Sequence, residues 1–320
     1  MARYIKAIFE KEGFVVETCA FTHTAAANLD GETILKELHT NAKSKRRVFI
    51  VDEASMVSLR LWTVLQSLQF TGAIFIVIGD WAGQLAPISD REVLNIWRRI
   101  PTSDFMHQMV NGLSITLSKY RRGTDASHYN MVRSLYPEDE DEDIKISLTC
   151  ARMSYPIRPG IFRGTSLCIT NKCRVAINER VNQVLAPEEY KLINVAPNPK
   201  ASKTPQNMRI WPGIVLLGSC TDKGHVKNAV RYKVLELNTD QASVIRVDDE
   251  DESVGNSFNL TFEEIGQKLV LSHAITYDSS QAKTIYGPLR LTQTSHTHMS
   301  LRRLIVGLGR APEGQYVEVE

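Results

Sequence analysis

Two adjacent carboxylates, Asp52 and Glu53, follow the apolar run Val48-Phe49-Ile50-Val51. The carboxyl end of a buried strand is where open α/β sheets bind their ligands. One carboxylate there can hold Mg²⁺, directly or through water, and its neighbour can orient or deprotonate an attacking water. A second apolar run, Ala73 to Ile78, ends in Gly79-Asp80 and leads to Gln84-Leu85-Ala86-Pro87. It lies one strand–helix–strand unit further on, so the Gln84 amide falls at the end of the neighbouring strand. From there it can hydrogen-bond a terminal phosphate or the attacking water. Read singly, the acidic pair is equally a device for strand-end solubility and the second stretch a turn of small residues. Read together they point to phosphoryl transfer from a nucleotide.

The elements that must position these groups follow from periodicity. Residues 3–12 space Tyr4, Ile5, Ile8 and Phe9 as a helix does, and Gly13 ends it. Phe14 to Phe21 and Val48 to Val51 read as strands, Leu59 to Leu68 as a helix, and Ala73 to Ile78 as a strand. Strands apolar on both faces, alternating with helices, imply a parallel sheet covered on both sides. The theme returns with a strand at Ser166–Ile169 and a helix over Lys172–Val184. From about Lys203 to Phe262 the texture changes. Short strands at Gly213–Leu217, Tyr232–Leu237 and Ala242–Val247 are separated by Gly, Asn and Asp turns, which suggests a small antiparallel barrel. The α/β pattern resumes at Lys268–Ile275, and a last strand is expected at Leu304–Val306, before Gly309-Arg310.

Bulk properties bound the rest. A chain of 320 residues with 43% hydrophobic and 23% charged residues is long enough for two globular domains and a small third. A net charge of +2 does not by itself argue for nucleic acid. The five cysteines form no Cys-x-x-Cys pair, so a disulfide framework or zinc site is not expected, and a soluble, reducing compartment (nucleus, cytoplasm or viral replication site) fits, without secretion. No apolar run approaches the length of a membrane span, and no membrane partner is expected. The amphipathic N-terminus has no signal-peptide core; a transit peptide and a helix inside a domain are its two readings. The acidic runs Glu138–Asp143 and Asp248–Glu252 read as solvated loops.

The motifs now align with a family. Asp52-Glu53-Ala54-Ser55-Met56 resembles motif II of superfamily 1 helicases, and Gly79-Asp80 with Gln84-Leu85 and Pro87 resembles motif III. The segment Thr22-His23-Thr24 through Thr33-Ile34 is similar to motif Ia of the RecD/Pif branch. Tyr120-Arg121 resembles motif IV; Thr276 with Gln281 and Thr284, motif V; and Val306 to Ala311, motif VI. Thr170-Asn171 followed by Ile177-Asn178 matches another segment of that branch. The resemblance implies two RecA-like parallel-sheet domains, over 1–115 and over 116–202 with 263–320, and an SH3-like β-barrel at 203–262 inserted in the second.

It also implies an ATP- and Mg²⁺-dependent helicase that translocates 5′ to 3′ on single-stranded DNA and opens duplex junctions, in replication, repair or recombination. Asp52 would hold Mg²⁺ and Glu53 activate water, with Gln84 sensing the γ-phosphate. Gly79 and Asp80 would line the nucleotide site. Arg121 and Arg310 would stabilise charge on the transferred group. Thr22, His23, Thr24, Thr33, Thr170, Asn171, Thr276, Gln281 and Thr284 would meet DNA. Plainer readings stand beside two of these: Arg121 as a surface ion pair, with Arg122 a rival for its role, and Arg310 as a solvated turn.

The pattern also breaks. No Gly-x-x-x-x-Gly-Lys-Ser/Thr phosphate loop occurs. Residues 2–12 look like the helix that follows such a loop, so the expectation is of a fragment whose first strand and loop lie in a missing N-terminal segment, or of a non-hydrolysing remnant that only binds single-stranded DNA. Motif V carries Asp278-Ser279 where the family has His-Lys, and Ala282 where it has Gly, which Ala tolerates only at negative φ. Motif VI has Gly309 before its Arg where Ser is usual. The stretch from Ile34 to Arg47 leaves room only for a stub of a duplex-splitting pin, and Lys43, Lys45, Arg46 and Arg47 make it either a phosphate contact or an ordinary loop. Trp81, Tyr120, Trp211 and Tyr232 are candidates for stacking on bases, with core packing the alternative.

Overall fold

A computed structural model describes residues 2–20, 26, 31–34, 47–70, 72–117, 119, 121–136, 144–195, 198–203, 205–222 and 224–320. The chain divides into two compact units, Met1–Tyr120 and Arg121–Glu320.

The first unit opens with helix α1 (Ala2–Lys11). Gly13 at φ 81° ends it, and the Phe14 amide reaches back to the Phe9 carbonyl at 3.0 Å, a left-handed C-terminal cap. The strands β1 (Val15–Ala20), β2 (Glu32–Thr33), β3 (Arg47–Asp52) and β4 (Ile74–Val77) form one sheet in the order β2-β1-β3-β4. Every pairing is parallel, and β1 matches β3 from Val15↔Arg47 to Ala20↔Asp52. The central strand β3 is buried on both faces as its apolar run requires. Val48 and Ile50 meet Ala2, Ile5 and Phe9 on one side; Phe49 and Val51 meet Leu61, Trp62 and Leu65 of helix α2 (Leu59–Gln69) on the other. Each of those β3 side chains contributes about 1.5–3 kcal/mol by burial. The short helices α3 (Leu94–Arg99) and α4 (Asp104–Met109) close the second face with Trp97, Met106 and Met109. The N-terminal amphipathic segment is therefore a sheet-covering helix in this fold.

The second unit holds helices α5 (Ala126–Ser134) and α6 (Ile144–Ser154), then strand β5 (Thr165–Cys168) and helix α7 (Asn171–Leu185). Strands β6 (Lys191–Ile193) and β7 (Met208–Ile210) pair with each other. The inserted barrel is a five-stranded antiparallel sheet built from β8 (Val215–Gly218), β9 (Arg231–Leu237), β10 (Gln241–Val247), β11 (Phe258–Thr261) and, after helix α8 (Phe262–Lys268), β12 (Leu269–Leu271), in the order β11-β10-β9-β8-β12. The barrel therefore runs past the expected bound at 262. The apolar stretch Lys268–Ile275 is two strands: β12 pairs with β8 as an edge strand of the antiparallel sheet, and β13 (Ala274–Thr276) pairs in parallel with β5. Helix α9 (Tyr277–Ser280), strand β14 (Leu289–Leu291), helix α10 (Leu301–Leu308) and strand β15 (Val317–Val319) complete the unit, whose parallel sheet has the order β13-β5-β14-β15.

The strand expected at Leu304–Val306 is instead the middle of α10. Ser300 caps that helix through its hydroxyl, and Leu304, Ile305, Val306 and Leu308 are all buried. A short apolar run buried all round carries no period that separates helix from strand. The observed architecture is thus two RecA-like parallel sheets with a small antiparallel barrel inserted in the second. Among the described residues, no helix is long and apolar enough to cross a membrane.

Candidate active site

Strand β3 delivers Asp52 to its carboxyl end, and the ladder continues one step beyond it: Ile78 N–H donates to the Val51 carbonyl at 2.9 Å and Ala54 N–H to the Ile78 carbonyl at 2.9 Å. To leave the strand and enter the turn Ala54–Met56, the chain passes through Glu53 at φ 52°, ψ 42°. A left-handed glutamate costs roughly 1–2 kcal/mol, and such strain persists where surrounding contacts fix it. Those contacts come from Gln84. Its amide nitrogen donates to a Glu53 carboxylate oxygen, and its amide oxygen accepts from the Ser55 hydroxyl. The two bonds fix which way the amide points. Ser55, fully buried, is held in turn by the Trp97 indole N–H, which donates to the Ser55 carbonyl at 2.9 Å. Gly79 packs closely under the same turn: a Cβ there would stand 3.0 Å from the Ser55 nitrogen and 3.1 Å from the Ala54 Cβ, so the turn would have to give by a few tenths of an ångström. Asp80 accepts from the Gly83 amide at 2.8 Å and so shapes the loop that carries Gln84.

The structure thus brings Asp52, Glu53, Gln84, Gly79 and Asp80 to one end of one sheet. Burial, and then the Glu53 charge beside it, push the Asp52 carboxyl up to about 6. Two neighbouring carboxylates with one half-desolvated are a site that a divalent cation relieves. Among the described residues no group of three His, Cys, Asp or Glu could hold a metal. One carboxylate suits Mg²⁺, which keeps several waters and takes the remainder of its shell from substrate oxygens.

The second unit holds the other candidates. Arg121 is exposed, while the Arg122 guanidinium donates to the Gly309 carbonyl. Arg310 is buried: Nε donates to the Val306 carbonyl at 3.1 Å and Nη1 to the Lys283 carbonyl at 3.3 Å. Buried His128 anchors the end of α10, its Nε2 3.1 Å from the Leu308 carbonyl and its Nδ1 2.9 Å from the Tyr155 hydroxyl; burial lowers its pKa. Thr170 caps α7 through Cys173 N–H at 3.2 Å, and Asn171 accepts from Arg174 Nε at 3.1 Å. Thr276 caps α9 through Ser279 N–H at 3.2 Å. Gln281 is buried, and Thr284 N–H donates to Asp249 Oδ2 at 2.7 Å. Ala282 lies at φ 63°, the left-handed region, against the negative φ that its methyl group favours.

Thr33 lies in β2, paired with Ala20. Thr22, His23, Thr24, Lys43, Lys45, Arg46, Tyr120 and the acidic run 138–143 fall outside the described residues. Arg47 is bonded to Glu17, at 2.7 and 2.8 Å, and stacks over Phe49, which ties its side chain to the sheet. Trp81 packs against Trp62 and Trp97, and Tyr232 is buried in the barrel core with Trp211 packed against it.

Three further partners have contacts that the sequence does not show. Gln293, at φ 56°, accepts from both the Ile169 and Thr170 amides, at 2.9 and 3.0 Å, and so braces the turn between β5 and α7. The polar run Gln293–His296 directly after the apolar strand β14 was the available signal. Asp90 accepts from the Leu59 amide at 2.7 Å at the start of α2. The loop Asp248–Glu252, expected to be merely solvated, holds Thr284 and is bonded by Arg231 to the carbonyls of Asp248 and Asp249, at 2.8 and 3.2 Å.

Residues 1–147 match a family described as an AAA domain. No curated protein sequence matches the chain. Among solved structures, the Pif1 helicase from Candida albicans aligns with a TM-score of 0.68 at 18% identity, over 99% of this chain and 87% of that one. Bacteroides Pif1 bound to single-stranded DNA aligns with a TM-score of 0.66 at 18% identity, over 99% and 85%. Bacteroides Pif1 in complex with ADP-AlF3 and single-stranded DNA gives 0.66 at 17%, over 100% and 85%. At these identities the likeness is one of fold.

Proposed function

We propose that this chain, whose fold is that of the Pif1 helicases of superfamily 1, is the core of an ATP-dependent DNA helicase. In this reading it uses Mg²⁺, moves 5′ to 3′ on single-stranded DNA and opens duplex junctions, as replication, repair or recombination would require. The observation that carries the reading is the Gln84 amide, bonded at once to Glu53 and to Ser55 at the carboxyl ends of two adjacent parallel strands. It ties a would-be general base to the strand end where a terminal phosphate would lie.

Asp52 is the residue that would hold Mg²⁺, and the cation would offset phosphate charge there. Glu53 would accept the proton of the attacking water. Gln84, through its link to Glu53, would orient that water. Arg121 and Arg310 would supply cationic charge for the transferred group, and Thr33, Thr170, Asn171, Thr276, Gln281 and Thr284 would contribute to the DNA grip together with the Thr22–Thr24 segment. The phosphate loop of the Gly-x-x-x-x-Gly-Lys-Ser/Thr form is not among the 320 residues.

That absence favours a second reading, a single-stranded-DNA-binding remnant that does not hydrolyse ATP. One experiment separates the two: ATP hydrolysis by the 320-residue chain with and without single-stranded DNA, beside Glu53→Gln, with DNA binding followed by fluorescence anisotropy. DNA-stimulated hydrolysis that falls at least a hundredfold in Glu53→Gln supports the motor. DNA binding without hydrolysis selects the remnant if hydrolysis is still absent from a version with the phosphate loop restored. Neither activity rejects both.

A further inference from the structure

Residues Lys283, Thr284 and Ile285 form an irregular strap bounded by two left-handed positions, Ala282 at φ 63° and Gly287 at φ 98°. On one side the strap is held by the inserted barrel. Lys283, 5% exposed, donates from Nζ to the Ala229 carbonyl at 2.8 Å, in the turn between β8 and β9. Thr284 N–H donates to Asp249 Oδ2 at 2.7 Å, in the acidic loop after β10. That loop is itself fixed: Arg231 of β9 bonds to two of its carbonyls and pairs with Asp251 at 2.5 Å. On the other side the same three residues hold Arg310. The Lys283 carbonyl accepts from Arg310 Nη1 at 3.3 Å, and Ile285 N–H donates to the Arg310 carbonyl at 2.9 Å.

We propose that the inserted barrel positions Arg310 through this strap, with Asp249 and Lys283 as positioning residues. The proposal rests on the reading of Arg310 as the cation directed at the transferred phosphate, but the mechanical link it asserts can be tested without that reading. No strap residue lies in regular secondary structure, and Ala282 and Ala229 both sit at positive φ, so the two barrel contacts brace the strap, together with the 3.2 Å bond from Lys283 N–H to the Ser280 carbonyl. Removing Asp249 leaves the Thr284 amide without its acceptor, and removing the Lys283 amine frees the strap from the Ala229 turn. Either change lets the Lys283 carbonyl move away from the guanidinium. A load on the barrel, from a nucleic-acid strand or a partner, would reach Arg310 by the same route.

The test follows the Arg310 Nε–H resonance by nitrogen-15 NMR, assigned by its loss in Arg310→Lys, in the full chain and in Asp249→Ala, Asp249→Asn and Lys283→Met. Global stability is measured in parallel by urea. The expected result is solvent exchange of Nε–H and of the Ile285 amide at least tenfold faster in Asp249→Ala and Lys283→Met, with amides of β9 and β10 unchanged. Asp249→Asn keeps an acceptor for Thr284 N–H and should stay near wild type. Unchanged exchange at Arg310 in the folded variants overturns the proposal, as does equal acceleration across the barrel, which would mean simple loosening. Should Asp249→Ala fail to fold, Lys283→Met against Asp249→Asn gives the same reading. Addition of an oligothymidylate to each protein separates the functional premise: if none binds it, the helicase reading fails while the exchange result still decides the strap.

Discussion

At the scale of single residues, the chemistry rests on a carboxylate kept half out of water. The Asp52 carboxyl titrates near 6 in the folded chain because burial and the Glu53 charge disfavour its ionised form. An ionised Asp52 therefore costs folding free energy. The cost is absent below about pH 3, where the group is protonated in both folded and unfolded chains, and it is complete above about pH 6. Asp52→Asn should accordingly stabilise the protein by about 1–2 kcal/mol at pH 7–8 and by almost nothing at about pH 3. Urea unfolding at the two pH values checks this, and an equal gain at both would show that charge burial is not the cause. Ala282 gives a second residue-scale prediction. At φ 63° its methyl group is strained, so Ala282→Gly should stabilise by about 1 kcal/mol. A loss of stability in the same assay would mean that the glycine's extra unfolded-state entropy outweighs the relief. The residue types of the candidate site were legible in the sequence because Asp52, Glu53 and Gln84 follow short apolar runs of strand length, rich in β-branched residues. Their mutual bonds were not, since the Gln84 amide reaches Glu53 only through the loop that Asp80 and Gly79 shape. Lys283, Asp249 and Gln293 were illegible for the same reason: each acts through irregular backbone, which leaves no periodic trace.

At the scale of elements, helix α7 does more than cover a sheet. Asn178 accepts from the Ala274 amide at 2.7 Å and donates to the carbonyls of Leu271 and Ala274 at 3.3 and 3.1 Å, so it brackets the point where the chain passes from the barrel strand β12 to the sheet strand β13. One turn on, Asn182 exchanges two bonds of 2.8 Å with the backbone of Arg209 in β7. Asn178→Ala would strand three buried backbone groups and should cost about 2–3 kcal/mol in urea unfolding. A cost under about 0.5 kcal/mol would show that the bracket is dispensable. The pair Ile177-Asn178 was noticed in the sequence, but as part of a family signature rather than as this joint. The elements themselves were legible wherever a period ran long enough, as in α2 and α7. Sequence reading failed over the last apolar helix, where Leu304–Val306 is buried all round, and at β12 and β13, where only Ser272 and His273 separate strands of two different sheets.

At the scale of the whole molecule, a net charge of +2 means that any attraction for DNA is local rather than a general field. If the DNA-binding reading holds, affinity for an oligothymidylate should fall with salt only as far as the phosphates gripped. A grip on about three phosphates would lose on the order of tenfold between roughly 50 and 200 mM salt. Anisotropy titrations across that range check it, and salt-independent binding would point to stacking without phosphate contact.

The order of strands in the second unit also dictates an order of assembly. Strand β5 finds its parallel neighbours only at Ala274–Thr276 and Leu289–Leu291, more than a hundred residues later, whereas β8, β9, β10 and β11 pair with near neighbours in the chain. Closing a short loop costs less chain entropy than closing a long one, and local pairings form faster than distant ones. On a ribosome, the inserted hairpins can therefore mature while β5 still waits, uncovered, for its partners. A barrel that folds first would be a scaffold in time as well as in space, drawing the two halves of the interrupted sheet together before they are able to recognise each other.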